Sequence, residues 1–295
     1  MRKAPVIVAM VVAATFVTTP AFAWGFVGHR LIMARAIDLL PPELKPFFER
    51  FRDEIVIRVV DPDLWRNVGW EDDPNHFVDF GMPQLGPPPF AGLPRDYSQA
   101  LEKFGMSELK RIGMLPWREG EMFGHLRRAF DGFNRQSPYT TGDVVLFAAV
   151  TSHYLQDAHQ PFHASNNHDG QLTGNNGIHS RFERDLIEKF SARLQLAPAP
   201  IKPILNARDR AFDVLIDSVS HVDAILKADS MAVAGKDFYD DEYFQKFFAA
   251  VKPILETQLS LAITATASVI VGAWEAAGRP VVRTTDVRTT QKVRR

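Results

Sequence analysis

The chain has 295 residues, 46% of them hydrophobic and 23% charged, with no cysteine and a formal net charge of −1. That length and apolar content suffice for a sizeable core without disulfides, and the missing cysteine excludes thiolate catalysis and every cysteine-based metal site. The near-neutral balance excludes a globally basic surface, so an anionic partner must be drawn by a local patch or a bound metal.

The first 23 residues read as a secretory signal peptide. Arg2 and Lys3 supply a positive end, an apolar run follows from Ala4 to Val17, and Ala21-Phe22-Ala23 offers a small-x-small cleavage site. The run is short for a membrane span and meets Pro20. Cleavage after Ala23 removes those two cations, takes the formal charge from −1 to −3, and leaves Trp24 as the amino terminus with no transmembrane anchor. A single domain is expected over residues 24–278, then a basic tail, 279–295, that frays.

Helical spacing dominates the rest. Ile32, Ala36, Leu39 and Leu40 form an apolar stripe at i, i+4, i+7 and i+8, closed by Pro41-Pro42. A second helix is expected from Glu43 to about Ile57, with Phe47, Phe48, Phe51 and Ile55 inward. Residues 59–96, rich in Pro, Asp, Gly and Trp, read as a long loop with short turns. Helical pieces follow near Ser98–Arg111 and Trp117–Phe133, and Thr141 or Asp143 is expected to cap an apolar helix from Val144 to about Asp157. Loop chemistry returns at 164–177. A helix from about Ile178 to Leu194 and two more near 207–227 and 239–277 complete the chain, the last broken or kinked at Pro253. Its apolar run, Leu259–Val271, contains Thr264, Thr266 and Ser268 and reads as a buried helix. The expected class is all-α: one compact multi-helix domain with long loops.

Of the nine histidines, six fall within residues 120–179, some with carboxylates at ligand spacing. His153 and Asp157 are four apart, so a helix projects both from one face about a turn apart. Pro161 then turns the chain out of its helix, and His163 can return toward them. Imidazole and carboxylate together suit zinc; a hydrogen-bonded surface pair is the alternative. His179 and Glu183 repeat the spacing, with a solvated charged face as the alternative. Trp24 and His29 lie five apart; a free α-amino group, with a pKa near ~8, yields its proton to a metal, and the amine and carbonyl of one residue form a chelate. Their alternative is two ordinary helix-start residues.

Four segments occur in a recognisable order: Trp24-Gly25-Phe26-Val27-Gly28-His29, Asp63-Leu64-Trp65-Arg66 with Asn75-His76-Phe77-Val78-Asp79, His153 with Asp157 and His163, and His179 with Glu183. In order and spacing they resemble the superfamily joining bacterial zinc-dependent phospholipase C with the fungal and plant single-strand-specific zinc nucleases, over roughly residues 24–190. The resemblance implies a helical fold of that kind and three zinc ions. One would be held by Asp63 or Asp61, His76, His153 and Asp157. A second would be held by His163, His179 and Glu183, and a third by the Trp24 amine and carbonyl, His29 and a bridging oxygen of Asp157. Asp63 is preferred to Asp61 because the nucleases place an arginine three residues after that acid, as Arg66 stands here. The chain departs from one branch or the other in two ways: Glu183 follows the phospholipases, and the paired cysteines of many nucleases are missing.

The implied function is an exported trinuclear-zinc phosphodiesterase, periplasmic or secreted, acting on single-stranded nucleic acid. Phospholipid headgroup release is the alternative, and a non-catalytic exported zinc-binding module the second alternative. Asp63 (or Asp61) would position a water and accept its proton, and Arg66 would neutralise a phosphate oxygen. No obligate protein partner is expected. Of the other histidines, His125 reads as a helix residue, His159 and His168 as neighbours of the site, and His221 as part of a solvated face. Trp65, Trp70 and Trp117 are expected in the core ahead of a substrate pocket.

Overall fold

The computed structural model describes residues 24–286, so the expected signal peptide and residues 287–295 of the tail lie outside the described residues. Among the described residues there is no strand. The helices are α1 (Gly25–Leu39), α2 (Lys45–Arg50), α3 (Arg52–Arg58), α4 (Asp61–Asn67), α5 (Tyr97–Ile112), α6 (Leu115–Asn134), α7 (Thr140–Ala158), α8 (Ile178–Ser180), α9 (Leu186–Phe190), α10 (Ala207–Val219), α11 (Val222–Val233) and α12 (Asp241–Ala276). Short 3₁₀ turns at Asp73–His76 and Pro161–Ala164 carry site residues, and a π turn, Arg181–Asp185, joins α8 to α9.

The molecule is wrapped around α7. From Ala148 to Ala158 every residue of this helix is buried, and α6, α12, α3, α10 and α1 pack against it. A helix enclosed on all sides must be apolar except where its polar groups meet partners. The exceptions on α7 include His153, Gln156 and Asp157, all fully buried. That placement alone brings site chemistry to the centre of the fold. α12 supplies the other long apolar surface, packing on α1, α11, α7 and α6. By length and composition it is able to cross a membrane, yet its apolar stretch is 67% buried, as expected of a core helix.

Several expected boundaries move. The helix expected over 43–57 divides at Phe51, whose φ of −110° and ψ of 15° break the ladder between α2 and α3 while its ring packs 4.9 Å from Phe47. The stretch expected as loop over 59–96 contains α4, started by Pro62 in its first turn with Asp61 and Asp63 beside it. Neither Thr141 nor Asp143 caps α7. The helix begins at Thr140, four residues before the expected Val144, behind a left-handed Tyr139 (φ 63°), and the Thr141 N–H is met at 2.7 Å by Asp286 Oδ1. Residues 279–286, expected to fray, lie against the body: Trp274 Nε1 donates to Pro280 O (2.9 Å) and Arg283 Nη2 to Phe133 O (3.1 Å). The helix expected over 207–227 divides at Ser220-His221. α12 runs through Pro253 unbroken, because Pro253 and Ala249, whose carbonyl loses its partner there, both face solvent.

Candidate metal centre

Three helices, two 3₁₀ turns and the α8–π segment deliver the polar groups. On α4, Asp63 is fully buried, whereas Asp61 turns to the flank and pairs with Arg58 (Nε–Oδ2 3.2 Å). Of the two acids, Asp63, the one preferred from the sequence, is the one that faces His76 and His153. His29 comes from α1, His153 and Asp157 from one face of α7, His76 and His163 from the two 3₁₀ turns, and His179 and Glu183 from α8 and the π turn.

Three buried groups have donor atoms close enough to share a metal ion: His29, His153 and Asp157; Asp63, His76 and His153; and His163, His179 and Glu183. Asp157 joins the first two. Its Oδ1 lies 3.2 Å from His29 Nε2, and its Oδ2 lies 2.9 Å from His76 Nδ1 and 3.3 Å from His153 Nε2. Asp63 Oδ1 stands 3.9 Å from both His76 Nδ1 and His153 Nε2. In the third group, Glu183 Oε2 lies 2.9 Å from His179 Nε2 and 3.9 Å from His163 Nε2. His163 Nδ1 is in turn 3.9 Å from Asp157 Oδ2, so the groups form one continuous cluster.

Four of the imidazoles are fixed by their other nitrogen. His29 Nδ1–H donates to Gln156 Oε1 (2.7 Å), His153 Nδ1–H to the Val59 carbonyl (2.8 Å), and His163 Nδ1–H to the His76 carbonyl (2.5 Å). His76 is held at Nε2 instead, by Asp72 Oδ2 at 3.1 Å. Each bond sets a tautomer and leaves the opposite nitrogen as a lone-pair donor toward the cluster.

Among the described residues, both oxygens of Asp63, Asp157 Oδ1, Nε2 of His29 and His163, and both nitrogens of His179 make no hydrogen bond although buried. A buried polar atom left so costs about 1–3 kcal/mol. Their convergence is accounted for by a shared cation, and nitrogen with carboxylate oxygen is a zinc donor set. The residues fit the metal.

The electrostatics agree. Burial opposes a charge on His76, but hydrogen bonds to Asp157 and Asp72 outweigh it and push its pKa up to about 9. His29 is raised in the same way, burial being overcome by Asp157. Burial also works against ionised Asp157, yet His153, His29 and His76 hold its carboxyl well below the usual range. Burial pushes His163 well down and Glu183 up. Asp157 thus keeps its charge through the imidazoles around it, against the cost of its burial.

Trp24 lies at the start of α1, fully buried. Its backbone nitrogen donates to Glu183 Oε2 (3.1 Å), and its carbonyl accepts the first helical bond of α1 from Gly28 (3.1 Å). It therefore borders the His163–His179–Glu183 group, and its indole Nε1 donates to the Gln156 carbonyl (2.7 Å), just before Asp157 on α7. Arg66 is half-buried one turn from Asp63, with Nη1 3.9 Å from Asp63 Oδ1, and it bonds Asp73. Of the remaining residues, His125 stacks on Phe147 at 4.8 Å, His168 is exposed, and His221 lies 4.0 Å from Asp217 at the surface. His159 is buried, which pushes its pKa down to about 3. Trp65 is half-buried against Trp70 (5.3 Å), which is exposed, and Trp117 is buried in the wall of a cleft of about 670 Å³.

The structure adds residues that sequence reasoning passed over. Asp72 and Gln156 hold His76 and His29, Gln160 Nε2 donates to Glu183 Oε2 (2.8 Å), and Asp79, three residues beyond His76, has its pKa raised to about 7 by burial. Asp72 and His76 show the same four-residue spacing as His153 and Asp157, a signal present in the sequence.

No family model matches the chain, and no curated protein matches it. Among solved structures it is similar to the alpha toxin from Clostridium absonum, with a TM-score of 0.51 and 13% identity over 83% of this chain and 63% of that one. The chain thus spans less than two thirds of the toxin's length. The likeness is one of fold, a single all-helical domain, and that fold is the class expected from the sequence.

Proposed function

We propose that the chain is an exported zinc-dependent phosphodiesterase that cleaves single-stranded nucleic acid. The observation that supports the catalytic part is the buried cluster of imidazoles and carboxylates, several of whose atoms, both oxygens of Asp63 among them, make no hydrogen bond. Zinc bound there supplies Lewis acidity toward a phosphoryl oxygen and brings the pKa of water down to about 7. Asp63, with both oxygens free of hydrogen bonds, accepts the proton that a water gives up as it attacks phosphorus; the opposite P–O ester bond breaks, and the leaving oxygen takes a proton from solvent. Arg66, on the same helix, swings from Asp73 to a non-bridging oxygen of the phosphate. Asp157 and the imidazoles hold the cation charge in place throughout.

The substrate class rests on the cleft beside Asn75, next to His76. Its wall combines the rings of Tyr97, Trp117 and Phe123 with the guanidinium groups of Arg118 and Arg208. Stacking surfaces beside cations suit unpaired bases and their phosphates. One observation favours phospholipid instead: Leu64, Val68 and Trp70 are exposed on and just after α4, on the outer side of the helix that presents Asp63. Such a lip suits an acyl surface.

The test offers single-stranded DNA, RNA and phosphatidylcholine vesicles to the zinc-loaded protein, with Asp63→Asn as control. Cleavage of nucleic acid, reduced by about 10²-fold or more in the variant, is the expected result. Lipid turnover without nucleic-acid turnover reverses the substrate assignment. Bound zinc with no phosphoesterase activity on any of them overturns the catalytic reading in favour of a binding module.

A further inference from the structure

His76 is the candidate ligand whose orientation depends on the side chain of the residue just before its own 3₁₀ turn. Its Nδ1 lies in the cluster, 2.9 Å from Asp157 Oδ2 and 3.1 Å from His153 Nε2. Its Nε2 points the opposite way, to Asp72 Oδ2 at 3.1 Å. Asp72 is itself buried and surrounded by donors. The Tyr154 hydroxyl donates to Oδ2 (2.8 Å), Asn75 Nδ2 to Oδ1 (2.8 Å) and Arg118 Nη2 to Oδ1 (3.4 Å). Arg118 is held in turn by Glu121 (2.9 Å) and lies over the Tyr154 ring at 5.4 Å.

An acceptor-only carboxylate at Nε2 requires that nitrogen to carry the proton, which leaves the lone pair on Nδ1. Four donors converging on one carboxylate lock its rotamer, and so the ring plane it faces. Tyr154 adds a link to the rest of the cluster, since it follows His153 on α7 and its ring lies 5.4 Å from both the His76 and His153 rings. The other three oriented imidazoles lean on backbone carbonyls or on Gln156, which are neutral.

We propose that Asp72 is the positioning residue of this centre: braced by Tyr154, Asn75 and Arg118, it selects the His76 tautomer and raises the basicity of Nδ1 toward the metal. This rests on the metal assignment above. Among the four oriented histidines it is the only one backed by a negative charge, so the Asp63–His76–His153 position depends most on its support.

The experiment measures zinc affinity by competition with a chromophoric chelator on the full chain, for wild type, Asp72→Asn and Tyr154→Phe. It is paired with the melting temperature of each protein after metal removal. Asp72→Asn is expected to weaken one zinc per chain by about 10–100-fold, the usual range for losing a group that orients a ligand, and to leave the other ions at wild-type affinity. Tyr154→Phe, which keeps the carboxylate, is expected to weaken the same ion by less. The cobalt(II)-loaded Asp72→Asn protein is expected to show an altered visible spectrum, a change that loss of packing alone does not produce. Wild-type zinc affinity in Asp72→Asn overturns the positioning role while leaving the metal assignment intact. Failure of the wild-type chain to bind zinc overturns the metal assignment itself. Uniform weakening of every ion, together with a lower melting temperature of the metal-free variants, shows a merely structural role and also overturns the proposal.

Discussion

Asp157 meets three imidazoles with two oxygens, at 3.2 Å to His29, 2.9 Å to His76 and 3.3 Å to His153. Asp157→Asn preserves the shape and removes the charge shared by two of the three donor groups. Two metal ions should therefore loosen together, which metal analysis after brief dialysis reads directly; a near-normal metal content contradicts that sharing. His76 gives a pH signature. Its pKa in the metal-free fold stands at about 9, above the ordinary 6.5, so its contribution to stability is present below pH 6.5 and is lost as pH rises through 9. Metal must displace that same proton, so zinc affinity should climb across this window and flatten above it. Titration of affinity between pH 6 and pH 10 checks the slope, roughly one proton per ion at this position. His153 with Asp157 and His179 with Glu183 were legible in the sequence because four-residue spacing on a helix is local geometry. Asp63 was preferred to Asp61 only through the resemblance and Arg66, because local geometry does not decide between them. The choice depends on which face of α4 turns inward, and α4 itself was hidden in a stretch of Pro, Asp and Gly that reads as loop.

At the scale of elements, long helices with an apolar stripe declared themselves, while breaks at Phe51 and Ser220 depend on tertiary packing and left no local mark. The π turn between α8 and α9 was equally silent. It is anchored from outside by Arg181, which points away from the cluster and bonds Asp229 Oδ1 and Oδ2 from Nη2 at 3.1 Å each. Tyr243 on α12 and Asn175 in the preceding loop complete this buried pair. The arrangement ties His179 and Glu183, on either side of Arg181, to α11 and α12. Asp229→Asn leaves a buried guanidinium without its counter-charge, a change that costs about 3–5 kcal/mol. Denaturant unfolding should show that loss, and metal at His163, His179 and Glu183 should weaken with it. Full stability in the variant contradicts the anchoring. Burial of His159 gives the fold a separate acid sensitivity. Its folded pKa of about 3 lies below the ordinary 6.5, so its contribution is present above pH 6.5 and is lost as pH falls toward 3.

Across the whole molecule, the candidate ligands come from α1, α4, α7, two 3₁₀ turns and the α8–π segment, spanning residues 29 to 183. The helical class was legible because composition and period report burial, whereas the hollow itself is a product of packing that no local window contains. Metal held at such a crossing braces elements far apart in sequence, so chelation should cost stability as well as activity. Ligand present at 1,000 times its Kd stabilises by about 4 kcal/mol per site, on the order of 10 °C for a domain of this size. The most direct test is the zinc content of the purified chain beginning at Trp24, measured by elemental mass spectrometry before and after chelation, with the melting temperature recorded alongside. The account predicts about three zinc ions per chain and a melting temperature that falls on their removal and recovers on their return. A chain that carries no zinc, takes none up, and melts unchanged in chelator contradicts it.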